Sequence, residues 1–156
     1  AGRGPTGAHR RSRPPQFLRL TGKRADGTVL WLVGPTTVAD HIVPTIGDAA
    51  AEAGRPAPRV VASVPVSVTD RPDEVRAFIS EILVGYDTLP SYRAMLDREG
   101  AARAGDVAII GSEDEVREGL ARFAASGATD FAAVEIGLDG DEFARTREVL
   151  KAVHSG

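Results

Sequence analysis

The sequence predicts an α/β fold of parallel strands alternating with helices, a partial (β/α)8 barrel of the TIM type that supplies three strands. Two observations carry this reading. Three apolar segments, at 28–33, 59–68 and 129–136, are each followed by residues with helical apolar spacing, and each connection is long enough to force parallel pairing. Three parallel strands alone leave two unpaired edges, and helices confined to one side leave an apolar inner face. Such a unit reads as part of an eight-stranded barrel, whose usual length is about 250 residues, and the chain has 156.

Residues 1–15, AGRGPTGAHRRSRPP, have Ala as their only aliphatic type, so they bury too little surface to offset ordering entropy and are expected to form a disordered basic tail. Regular patterning starts at Gln16, which makes 16–156 the folded unit. FLRLTGKR (17–24) reads as the end of a short helix, and Ala25-Asp26-Gly27 turns the chain into the first strand, Thr28–Val33. That strand lacks in/out alternation, as strands covered on both faces do. Gly34-Pro35-Thr36-Thr37 ends it, and Thr36 or Thr37 is placed to cap a helix to about Ala53, stopped by Gly54. Pro44 lies inside this helix and is expected to kink it.

The second strand is Arg59–Val68, followed by Pro72 at a first helical position and a helix from Asp73 to about Tyr86, with Val75, Phe78, Ile79, Ile82 and Leu83 at helical spacing. Pro90 opens a further piece, and a long loop then runs through Gly105-Asp106 into VAIIG. Ser112 and Glu115 form a capping box for a helix that ends at Gly127. Thr129–Ile136 is the third strand, and Asp141 to Val153 the last helix.

The composition excludes several classes of function. With no Cys there is no disulfide, thiolate metal site or cysteine nucleophile, and His9, His41 and His154 lack metal-ligand spacing. No apolar run approaches the roughly 18 residues of a membrane helix, and no signal-type apolar segment follows the basic start. A cytoplasmic protein with no membrane partner is expected. The net charge of −3 is uneven: residues 1–25 carry seven Arg and Lys and no acid, while the rest has 12 basic and 22 acidic residues. The tail lacks aromatic interleaving and has no nucleic-acid-binding module behind it, so no nucleic-acid partner is expected.

Three stretches together resemble the luciferase-like monooxygenase superfamily, and within it the flavin- or deazaflavin (F420)-dependent oxidoreductases. They are PQFLRLTGKRADGTVLWLVGP (15–35), GRPAPRVVASVPVSVTD (54–70) and DVAIIGSEDEVREGLARFAASGATDFAAVEIG (106–137). The resemblance implies that the chain is the C-terminal half of such a barrel, with strands six to eight. The family's fifth strand would end just before Pro15, where GAHRRSR stands instead, which an out-of-frame or mis-started N-terminus explains.

The same resemblance implies coenzyme F420, alternatively FMN, as the cofactor, a small organic molecule as substrate, and hydride transfer between them, with this fragment inactive alone. The rival reading is a non-enzymatic module that completes its sheet with a partner chain; open edges also predict self-association into a homo-oligomer. Barrel sites lie where strands end, and helix N-termini attract phosphate. The candidate cofactor-binding residues are therefore Gln16 and Phe17 at one turn, and Val33, Gly34, Thr36 and Thr37 at the other. In the first turn the family's small residue before the proline is Pro14 here. A plainer reading makes Gly34 a simple turn residue and the threonines simple caps. No catalytic or metal-binding residue is assigned: His41 reads as a packing or surface residue, and Glu135 as either an interior carboxylate or a solvated strand end.

Overall fold

The computed structural model describes residues 16–154. The predicted basic tail, 1–15, lies outside the described residues. In chain order the elements are α1 (Gln16–Arg24), β1 (Gly27–Trp31), α2, β2 (Arg59–Val68), α3 (Pro72–Ile82), α4 (Pro90–Glu99), β3 (Ile109–Gly111), α5 (Glu113–Ala125), β4 (Asp130–Glu135) and α6 (Gly140–His154). Helix α2 joins three consecutive helical stretches, Pro35–Thr37, a π-helical Val38–Ile42, and Val43–Glu52. The π segment ends two residues before Pro44, where a kink is expected. Pro44 has no N–H to donate, and the helix accommodates it by widening the turn just before it.

All strand pairs are parallel, and β2 carries the sheet. Val61, Ala62 and Ser63 pair with both β1 and β4, so these two strands take opposite edges. Val66 pairs with both Ile109 and Glu135, which puts β3 on the β1 side, further along the same edge. Strand β3, Ile109–Gly111, is an addition to the three strands expected. Three residues are too short for a periodic signal, and the strand exists because β1 pairing ends at Ser63 and leaves the edge from Val66 to Val68 free.

The helices cover one face of this sheet. Val60, Ala62, Val64, Val66 and Val68 of β2 all enter the hydrophobic core, whereas Val61, Ser63, Pro65 and Ser67 do not. The main core adds Val75 and Ile79 of α3, Val116, Leu120 and Phe123 of α5, and Val149 of α6. A second cluster joins Leu18 of α1, Leu30 of β1 and Ile42 and Ile46 of α2. Helices α1 and α2 approach closely because Gly22 faces the Ile46 carbonyl and Ala49. The opposite face is open at its flanks, where Val29 is 71% exposed and Val134 also meets solvent. The uncovered inner face that three strands with one-sided helices predict is thus open only at these flanks, since Ser63, Pro65 and Ser67 of the central strand are buried. Of the apolar residues at helical spacing on α3, Val75 and Ile79 are buried and Phe78 and Ile82 exposed, and the helix stops at Ile82, short of the expected Tyr86.

Candidate functional site

The turn after β1 is built on an uncommon backbone. Leu32 adopts a left-handed conformation, φ 57°, which costs about 1–2 kcal/mol for a residue with a side chain. The side chain is wholly buried in the main core and its amide donates to the Ser63 carbonyl, so packing holds the strained residue in place. Gly34 then serves as N-cap of α2, with Pro35 as the first helical residue.

A helix start leaves its first amides without partners. Here Pro35 has none to offer, the Val38 amide donates to the Gly34 carbonyl, and two donors remain, Thr36 and Thr37. Neither threonine caps the helix with its side chain, contrary to expectation. Both amides donate to the carboxylate of Glu99, Thr36 to Oε1 at 3.2 Å and Thr37 to Oε2 at 2.7 Å. The Thr37 hydroxyl points toward the Met95 carbonyl, 3.4 Å away, and Thr37 is buried, while Thr36 stays exposed.

Glu99 arrives from the last turn of α4, an element that sequence reasoning left without a role. Its supporting contacts are local. Arg93 donates to the carbonyls of Ala101 and Ala102 and to Asp97, and the Asp87 carboxylate accepts from the Ala104 amide and from Arg103. Leu96 is buried in the main core, and Met95 packs against the second cluster. No local signal marks Glu99, because its partners lie more than 60 residues earlier.

Two cavities flank this turn. One of about 480 Å³ is bounded by Pro35, Thr36, Glu99, Asp106 and Arg122. The other, about 450 Å³, runs along the free edge of β1 and is lined by Phe17, Val29, Trp31, Val33, Tyr92 and Met95. Trp31, Tyr86 and Tyr92 form a chain of edge-to-face rings with centroids 6.4 and 4.8 Å apart. The structure therefore brings Phe17 and Val33 to one cavity and Thr36 to the other. Gly34 and Thr37 lie behind Glu99, and Gln16 is exposed at the start of α1.

A second carboxylate ties the ends of β2 and β4. Glu142 in the first turn of α6 is 3% exposed and accepts from the Thr69 hydroxyl (2.6 Å), Arg71 (2.9 Å) and the Leu138 amide (2.6 Å). Burial alone would push its carboxyl up; these three donors outweigh burial and hold it below its ordinary value. Beside it, Arg145 bridges Glu113 and Asp70, and that guanidinium lowers Glu113 to about 2. Glu135 is bound by Arg147 of α6, so it belongs to the helix-covered side and not to the sheet's open face. His41 sits in the π segment with Nε2 buried and unpartnered among the described residues; burial, then the nearby Arg98, lowers its pKa. Among the described residues no cluster of His, Cys, Asp and Glu could hold a metal ion, and no helix is long and apolar enough to cross a membrane.

The sequence model of the family described as luciferase-like monooxygenase matches residues 12–130. The chain belongs to this family. Among solved structures it is similar to an F420-dependent secondary alcohol dehydrogenase in complex with an F420-acetone adduct, with TM-score 0.66 and 20% identity over 90% of this chain and 46% of that one. The coenzyme F420-dependent tetrahydromethanopterin reductase of Methanopyrus kandleri gives 0.65 and 19% over 87% and 46%. The oxygenating constituent of 3,6-diketocamphane monooxygenase from Pseudomonas putida, in complex with FMN, gives 0.56 and 25% over 85% and 43%. No curated protein matches the sequence. The chain spans less than half the length of each of these structures, and its strands and helices are those of a luciferase-like barrel cut open.

Proposed function

We propose that this chain is the C-terminal part of an F420-dependent oxidoreductase, with FMN as the alternative cofactor, and that it is inactive without the rest of the barrel. The observation that carries the reading is the open sheet. Its strands pair in parallel, its helices lie on one side, the flanks of its other face meet solvent at Val29 and Val134, and among the described residues no strand pairs with the outer edges of β1 and β4, as strands six to eight of a barrel would be. F420 or FMN, when bound, supplies a ring that accepts or donates hydride, and a small organic molecule is the substrate.

The residues this chain would place against such a cofactor are Gln16, Phe17, Val33, Gly34, Thr36 and Thr37. Phe17 and Val33 offer an apolar wall, and Thr36 an exposed hydroxyl. Gly34 and Thr37 act one step back, shaping the turn that presents Thr36. The open edges also favour a second reading, a binding module that completes its sheet with a partner chain.

The test starts with the DNA upstream of codon 16, translated in three frames. A frame that runs into an apolar strand and further βα units allows the restored protein to be made, and binding of F420 or FMN, followed by fluorescence, then supports the oxidoreductase. If no frame encodes such strands, the oxidoreductase reading fails and the partner-chain reading takes its place.

A further inference from the structure

We infer that Glu99 is a specificity-determining residue of the turn after β1: its carboxylate is the turn's own anion, so the turn rejects phosphate and presents only neutral groups to a ligand. This rests on the reading that the turn lies against the cofactor, and it names the part of the cofactor the turn can take.

The donors come first. A helix N-terminus carries roughly half a positive charge on its unpaired amides, and that charge is what attracts phosphate. At α2 both available amides, Thr36 and Thr37, are already bonded to one carboxylate. A phosphate arriving there would find no free N–H and would meet a negative charge.

The seat for that carboxylate is built into the backbone. A Cβ at Gly34 would overlap the Glu99 carboxyl group, so the bare glycine is what lets the side chain lie against the turn. Gly34 has φ −77° and ψ 164°, a conformation open to any residue, so space and not backbone freedom is what this glycine supplies.

The carboxylate is also tethered. Leu96 is buried, Met95 packs against the second core cluster, and Arg93 holds the carbonyls of Ala101 and Ala102. A group fixed in this way competes at an effective concentration in the millimolar range, which free phosphate has to exceed. What the turn leaves accessible is the Thr36 side chain, which suits a hydroxyl-rich neutral chain. The phosphate of a nucleotide-like cofactor then has to be gripped elsewhere.

The experiment follows the backbone amides of Thr36 and Thr37 by NMR in the 156-residue chain while inorganic phosphate is added. In the wild type these two peaks should stay still. In Glu99→Gln, which keeps the shape but pairs with only one amide, and in Glu99→Ala, they should shift along a saturable curve whose midpoint lies at least about tenfold below the highest phosphate concentration that leaves the wild-type peaks still. Saturable shifts of the wild-type peaks overturn the inference. So does a variant whose Thr36 and Thr37 amides exchange faster with solvent yet ignore phosphate. If Glu99→Ala does not fold, Glu99→Gln and the wild-type titration still decide. Failure of F420 and FMN to bind the restored protein would remove the proposed function and leave this result standing.

Discussion

Two carboxylates close two strand-to-helix junctions of this chain, and they do so in different ways. Glu142 belongs to the first turn of the helix it serves, is almost wholly buried, and gathers three donors from the ends of β2 and β4. Glu99 comes from a separate helix, is half-buried, and gathers two amides. The first is a structural rivet: removing it strands Thr69, Arg71 and Leu138 around a hole. The second depends on the docking of α4 and can be released without opening the core. Equal hydrogen-bond chemistry therefore yields a fixed joint on one side of the sheet and a separable one on the other.

The largest expected effect tests the rivet. Glu142→Ala should cost about 2–4 kcal/mol in urea unfolding, toward the low end of the range for breaking a buried pair because Arg71 keeps partial exposure. A loss below about 1 kcal/mol, the level of an ordinary net hydrogen bond, would erase the contrast.

Acid should act on the same side. Glu142, Glu113 and Asp139 all titrate below their ordinary values in the folded chain, so the stability they lend is complete above pH 4.5 and is lost as pH falls through the folded values. For Glu113 that window runs from 4.5 to about 2. Melting temperature measured against pH should fall in it, and Arg145→Gln should move the Glu113 titration, followed by NMR, back toward 4.5. A Glu113 that stays near 2 without Arg145 would show that its own helix start sets the value.

Next comes the separable joint. Glu99→Ala should cost about 1 kcal/mol, the net worth of one ordinary hydrogen bond, because the carboxylate is half-buried and one of its two bonds is exposed. Gly34→Ala should cost a similar amount by displacing the same carboxylate, and the double variant should cost no more than either alone. Additive losses would mean that Gly34 serves something other than the Glu99 seat. The smallest expected effect has the opposite sign. Ser67 is fully buried with a hydroxyl that has no partner among the described residues, so Ser67→Ala should gain about 0.5 kcal/mol. A loss would reveal a hydrogen bond to that hydroxyl.

The legibility of the sequence follows the same division. Segments whose own residues decide their state were readable: the strand at 59–68, the Ser112–Glu115 capping box, Pro72 at a helix start, and the one-sided sheet. Features decided by distant partners were not. Thr36 and Thr37 look like caps by residue type, yet a carboxylate some 60 residues away does that work. Strand β3 is set by an edge that β1 leaves vacant, and the exposure of Phe78 and Ile82 by the lack of a neighbour on that face of α3 among the described residues. The six candidate cofactor residues were local choices at two turns. The structure groups Phe17 with Val33 and separates both from Thr36, a division that no spacing along the chain conveys.

The central position of β2 has a consequence for how the chain is made. The first half of one edge, to Ser63, is filled by β1, synthesised about 30 residues earlier, but the rest of that edge waits for β3 and the other edge for Asp130–Glu135, close to 70 residues later. At roughly 5–20 residues per second a ribosome needs about 3–14 s to deliver them. Through that interval a ten-residue valine-rich ribbon stands with one side of its backbone unsatisfied. It is the segment most exposed to misassociation in the nascent chain, and the one a holding chaperone would need to cover.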